Sequence, residues 1–196
     1  MKNILLITTD EQRPDCFGSG EFGTLSMPAF DRLRREGSFL PRMHSVCPVC
    51  MPARYAWLHG LYPSQVAARL VSNAHDWPTD QPTFAQALQR RGFRTALIGK
   101  LHTLAGLYRR DVRAHRAQTH ARGFHDVTEV SGGTLAYFYD CDYTEFLAER
   151  GKLDRLRDFL RDWHTNWLEE AYEPFFLNEE EQLDGFIATR TIEWLR

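Results

Sequence analysis

No stretch of the 196 residues is both long and apolar enough to cross a bilayer, for which about 20 consecutive apolar residues are needed. The N-terminus does not read as a secretory leader. Met1-Lys2-Asn3 runs into Ile4-Leu5-Leu6-Ile7, and polar Thr8, Thr9, Asp10 and Glu11 follow at once, whereas a leader's apolar region is longer and ends in small residues. A cytoplasmic protein is therefore expected. Cysteine is scarce: Cys16, Cys47, Cys50 and Cys141 are too few and too uneven for a disulfide framework. A four-ligand zinc site lacks its second C-x-x-C or spaced histidine pair. Charge of one sign is lacking too. Lys+Arg 24 against Asp+Glu 26 leaves -2, which gives no reason to expect nucleic acid or an anionic membrane as partner. The chain does have 43% hydrophobic and 13% aromatic residues, enough for one packed domain and too many for a disordered chain.

Ile4 to Thr8 is a short apolar run rich in β-branched residues, the pattern of a strand buried on both faces. Pro14, Gly18, Gly20 and Gly23 make a loop. Pro28 to Arg35 reads as a helix with Phe30 and Leu33 on one face and Gly37 as its stop. Pro52 to Leu61 reads as a second helix with Pro at its first position. Thr83 to Arg91 reads as an amphipathic helix with Phe84, Ala87 and Leu88 inward, ended by Gly92. Thr95-Ala96-Leu97-Ile98 is a second buried strand closed by Gly99. Helix, glycine and strand in that order argue for an α/β sheet. Residues 104–123 carry Arg109, Arg110, Arg113, Arg116, Arg122, His115 and His120; a solvated excursion is preferred there over a substrate patch. A short strand is expected over 124–130, with helices over 142–171 and 179–196.

Asp10 directly follows the first predicted strand, at the edge where open α/β sheets bind ligands and where a carboxylate can hold a hard cation; a turn cap is the alternative. Cys50-Met51-Pro52-Ala53-Arg54 is more telling. Pro52 opens a helix, so Cys50 stands where backbone N–H groups and the positive end of the helix dipole favour an anion and a thiolate. Arg54, in the first turns of that helix, offers a guanidinium fork to a tetrahedral oxyanion. Cys50 could instead be a buried thiol, or pair with Cys47 as a redox C-x-x-C. Lys100 and His102 follow the second strand, suited to hold an anion and to protonate a leaving oxygen, or else are ordinary surface residues. Asn73 and His75 lie in a loop between helices.

These residues, in this order, resemble the sulfatases. Asn3-Ile4-Leu5-Leu6-Ile7-Thr8-Thr9-Asp10-Glu11-Gln12 resembles their metal-binding opening strand. Pro28-Ala29-Phe30-Asp31-Arg32-Leu33 with Glu36-Gly37 resembles the helix after it. Cys50-Met51-Pro52-Ala53-Arg54 resembles the signature C-x-P-S/A-R, and Gly99-Lys100-Leu101-His102 resembles G-K-x-H. The resemblance implies an alkaline-phosphatase-like α/β fold, a sheet flanked by helices. It also implies that Cys50 is converted by a formylglycine-generating or equivalent maturation enzyme into formylglycine. The aldehyde hydrate would take the sulfuryl group from a small-molecule sulfate ester and release it as sulfate. Asp10 and the Cys50-derived group would bind a divalent metal, Ca²⁺ foremost, with Mg²⁺ or Mn²⁺ as alternatives. Arg54 would orient the hydrate, Lys100 and His102 would contact sulfate, and Asn73 would line the pocket.

Glu11 stands where many members have a second Asp, and His59-Gly60-Leu61 replaces the usual Thr-Gly-Arg. The family's later metal ligands and its second Lys and His have no counterpart before Arg196. The chain is accordingly expected to be the N-terminal part of a catalytic domain, inactive alone. Residues 1–102 would be the motif-bearing α/β core and 103–196 a variable, mostly helical segment. The alternatives are a phosphonate or phosphate ester hydrolase of the same superfamily, a catalytically incomplete anion-binding remnant, and a thiol redox protein using Cys47 and Cys50.

Overall fold

The computed structural model describes residues 3–13, 26–65, 77, 80–103, 111–166 and 176–196. The chain divides into two compact units, Met1–Ser45 and Val46–Arg196.

In the first unit the helix α1 spans Pro28–Glu36. Proline begins it, where its fixed φ fits and its missing N–H is not needed. At Gly37 the backbone N–H still bonds to the Leu33 carbonyl. No residue of α1 is buried, and Leu33 lies 64% exposed. The expected buried strand over Ile4 to Thr8 is not formed. Residues 3–9 carry no strand, and Ile4, Leu5, Leu6 and Ile7 are 58–73% exposed. A strand buried on both faces needs neighbours on both edges, and among the described residues the only sheet is the pair β1 and β2 of the second unit.

The second unit opens with α2, Cys50–His59. It starts two residues earlier than expected, so Pro52 is its third residue. Proline is tolerated anywhere in the first turn because those N–H groups have no intrahelical acceptor. Gly60 ends α2 in the left-handed conformation, at φ 68°. The helix α3, Phe84–Arg90, begins in a reciprocal cap: the Gln86 amide donates to the Thr83 hydroxyl, and the Thr83 amide donates to the Gln86 side chain. Its inward residue is Ala85, while Phe84 and Ala87 are exposed and Leu88 is half-buried. Gly123 explains the correction. A Cβ there would lie 2.3 Å from the Gln86 nitrogen, so α3 meets the Gly123 turn backbone to backbone and only a small side chain fits the contact.

The strand β1, Ala96–Gly99, pairs in parallel with β2, Asp126–Glu129, in the register Ala96↔Asp126 to Gly99↔Glu129. β1 buries alternate residues and not both faces. The connection between them includes α4, Arg116–Ala121. The expected solvated excursion is here a packed segment, as far as it is described. Arg122 is 2% exposed and donates to the carbonyls of Trp77 and Gln118. Arg113 pairs with Asp111 and Glu145, and Arg116 with Asp142. Arg109 and Arg110 lie outside the described residues. The expected single helix over 142–171 is two, α5 (Asp142–Ala148) and α6 (Leu153–Asn166). Gly151 reverses the chain between them at φ 66°. The helix α7, Leu183–Leu195, completes the unit, and its Ile187 comes within 3.9 Å of where a Cβ on Gly99 would sit.

One apolar cluster joins Met51, Tyr55 and Leu58 of α2 to Ala85, Leu97, Leu101 and Phe124. A second gathers Val130, Cys141, Tyr143, Leu147, Leu156 and Phe186 with their neighbours. No helix among the described residues is long and apolar enough to cross a membrane.

Candidate functional site

Cys50 is the first residue of α2 and is half-buried. The first turn of a helix presents N–H groups with no intrahelical partner; at α2 these belong to Cys50 and Met51, because Pro52 has none and Ala53 already donates to the Val49 carbonyl. Met51 and Leu58 are fully buried and Tyr55 nearly so. That packing fixes the helix and with it the placement of Cys50.

Arg54, one turn on, is only 7% exposed, and its Nη1 donates to the carbonyl oxygen of Lys100. This bond ties the C-x-P-x-R helix to the turn after β1. Leu101 ties them again: it is 0% exposed and packs in the cluster of Met51, Tyr55 and Leu58. Burying a leucine contributes about 2 kcal/mol, so the turn is held to α2 by its central residue, with Lys100 and His102 on either side. Two backbone reversals shape that turn, Gly99 at φ 126° and His102 at φ 65°. Only glycine adopts the first readily. The second is uncommon outside glycine, and such residues concentrate at binding and catalytic sites. The Lys100 side chain runs over Gly132, where a Cβ would stand 3.4 Å from Lys100 Cδ.

Three of the expected site residues, Arg54, Lys100 and His102, thus meet at the carboxyl end of β1, with Cys50 at the start of the same α2. Asp10 lies exposed in the first unit, at a bend and not at the end of a formed strand. Asn73 and His75 lie outside the described residues. Among the described residues no three His, Cys, Asp or Glu side chains converge as metal ligands.

One residue of this edge escaped the sequence reading. Glu129 ends β2 opposite Gly99 and is 5% exposed. The Thr119 hydroxyl donates to its Oε2 at 2.8 Å. Burial pushes its carboxyl up to about 7; Thr119 and Arg122 oppose that rise, and Asp142 adds to it. With His102, Thr103, Val130 and Ser131 it borders a cavity of about 20 Å³. Asp126-Val127-Thr128-Glu129 holds two acids and one apolar residue, so no pattern marks Glu129 as the buried one; that follows only from the parallel pairing with β1.

The family model described as Sulfatase matches residues 2–194. The chain belongs to the sulfatase family. It is 34% identical over 152 residues to human arylsulfatase H, a match covering 71% of this chain and 26% of that protein. It is 33% identical over 100 residues to choline-sulfatase of Rhizobium meliloti, covering 51% of this chain and 19% of the relative. The chain therefore spans about a quarter or less of the length of these relatives. In structure it is similar to the phosphonate monoester hydrolase of Agrobacterium radiobacter, with a TM-score of 0.65 at 20% identity, over 96% of this chain and 36% of that one. The sulfatase fold is thus α/β and alkaline-phosphatase-like, as the motifs led one to expect.

Proposed function

We propose that the protein of which this chain is part hydrolyses a small-molecule sulfate ester, using formylglycine made from Cys50. The observation that carries the reading is the Arg54–Lys100 hydrogen bond, because it joins the two sulfatase motifs into one site. The Cys50 position suits the modification: a half-buried side chain at a helix start is reachable by a maturation enzyme and sits in a field that favours anions. The aldehyde hydrate would supply the oxygen nucleophile and take the sulfuryl group. Arg54 orients the group on Cys50, held in place by its own bond to Lys100. Lys100 neutralises sulfate oxygens, and His102 gives a proton to the leaving oxygen.

A divalent cation, Ca²⁺ or else Mg²⁺ or Mn²⁺, would have Asp10 as an oxygen ligand. The described residues do not amount to a cage for it, so the steps assigned here are those of side chains alone. A phosphonate ester is the second candidate substrate class, favoured by the likeness to a phosphonate monoester hydrolase. A cytoplasmic location, with neither nucleic acid nor membrane as partner, belongs to the same reading, and the near balance of acidic and basic residues favours it.

The test is mass spectrometry of the tryptic peptide running from Met43 to Arg54, taken from the native protein. Loss of the Cys50 sulfur with gain of an aldehyde oxygen is the expected result. A plain thiol in a host that makes formylglycine would overturn the mechanism.

A further inference from the structure

Beyond β2 the chain stays beside the end of β1: the Val130 backbone N–H donates to the Gly99 carbonyl at 3.1 Å. Ser131, Gly132 and Gly133 therefore pass the turn that carries Lys100. Gly132 is buried, and the three atoms nearest to where its Cβ would stand all belong to Lys100: Cδ at 3.4 Å, Nζ at 3.5 Å and Cε at 3.6 Å. The far half of the lysine side chain thus lies flat along a bare backbone. That backbone is itself fixed. Gly132 holds φ 107°, which only glycine adopts readily, and the Ala136 N–H is shared between the Gly132 and Gly133 carbonyls at 3.2 and 3.3 Å. From the side of α2, Arg54 donates to the Lys100 carbonyl.

We propose that Gly132 is a positioning residue for Lys100: its bare backbone is the surface that orders the lysine stem, and it so sets where the ammonium meets the anionic head of the ester. The last clause rests on the sulfatase reading; the ordering of Lys100 does not. A lysine is a point charge on a flexible stem, and fixing such a stem at the moment of binding weakens affinity. A stem already ordered on Gly132 avoids that loss when the substrate arrives. A methyl group at 132 would only touch the stem. A branched side chain reaches further, into the volume the stem occupies, and displaces the ammonium. Gly133 differs from its neighbour: its backbone is helical at φ -57°, and a Cβ there meets nothing within 4 Å.

The probe is inorganic sulfate, titrated into the intact protein and followed by NMR with lysine Cε and glycine Cα labelled; the Lys100 signal is assigned from its loss in Lys100→Met. In the wild type a nuclear Overhauser contact should join the Lys100 Cε protons to the Gly132 Cα protons, and sulfate should move both signals along one binding curve. Gly132→Val should weaken sulfate binding about tenfold. In a Lys100→Met background the same change should weaken it no further, and Gly133→Ala should leave it as in the wild type. A wild-type protein without the Lys100–Gly132 contact overturns the proposal, and that result does not depend on Gly132→Val folding. A valine penalty as large without the lysine as with it overturns it too, because the effect is then backbone strain and not displacement of Lys100. A Lys100 signal that touches Gly132 but ignores sulfate overturns the clause on the ester and counts against the sulfatase reading, while the ordering of Lys100 by Gly132 stands.

Discussion

Arg54 and Arg122 are both buried arginines, yet only Arg54 stood out in the sequence. Arg54 stands at a fixed spacing from Cys50, which marked it as a candidate site residue, while its bond to the Lys100 carbonyl was not expected from the sequence. Arg122 sits in a run of basic residues that reads as solvent-facing. Its acceptors, the carbonyls of Trp77 and Gln118, are backbone groups, which no sequence pattern advertises. Arg113 and Arg116 of the same run pair with Glu145 and Asp142, which lie on the later helix α5. Arg122→Met keeps most of the stem but takes the guanidinium donor from the Trp77 carbonyl, while the Gln118 carbonyl still accepts from the backbone N–H of residue 122, and it removes a cation near Glu129. An unpaired buried polar group costs about 1–3 kcal/mol, so a loss of about 2 kcal/mol is expected in urea unfolding. A loss below about 1 kcal/mol would mean that water replaces the guanidinium. The left-handed backbone of His102 is also a residue-scale fact that the sequence hid, since histidine carries no signal for it.

At the scale of elements, what was legible is what local chemistry decides. Pro28 and Gly37 bracket α1, Thr83 and Gln86 cap α3, and Gly99 closes β1, each by its own backbone preference or hydrogen bond. What was misread depends on partners far along the chain. The inward face of α3 is set by Gly123, 38 residues beyond Ala85 in the numbering. The run Ile4 to Ile7 has the composition of a buried strand but, among the described residues, no strand beside it. The break between α5 and α6 rests on one glycine in a helical composition.

The α3 contact yields a paired expectation. Gly123→Ala drives a methyl into the Gln86 and Ala85 backbone at 2.3 and 2.7 Å and forces φ 98° on a residue with a Cβ, so it should cost more than about 3 kcal/mol. Thr83→Ala removes the cap and its bond to the Arg122 carbonyl at 2.6 Å, for about 1–2 kcal/mol. Thermal or urea unfolding checks both. If the two variants cost the same, the backbone approach is not what sets the register of α3.

For the molecule as a whole, the dependence of stability on pH sums groups of opposite sign. Hydrogen bonds from Arg94, at 2.7 and 3.0 Å, hold Asp126 down to about 2. Its contribution is present above the ordinary carboxylate range and is lost as pH falls toward 2. Burial, aided by the charge of Arg122, lowers His59, whose ring lies tilted against Tyr55 with 4.1 Å between centroids. A neutral imidazole is favoured in the fold, so this contribution too is lost as pH falls, below about 6.5. Glu129 runs the other way. Its folded carboxyl titrates at about 7, above the ordinary value, so the fold binds that proton more tightly than the unfolded chain does. The associated stability is present below about pH 4.5 and is lost as pH rises through 7. An acid limb from Asp126 and His59 and a separate decline through neutrality from Glu129 should therefore bound the most stable range. Glu129→Gln isolates the second. A glutamine can still accept from Thr119 but cannot ionise, so variant and wild type should be nearly equally stable near pH 4. The variant should gain on the wild type as pH rises, by up to about 3 kcal/mol at pH 8. Urea midpoints measured across that range read the gap directly. A gap that stays constant with pH would mean that Arg122 and Arg116 hold Glu129 ionised in the fold, and that burial is not the dominant influence on it.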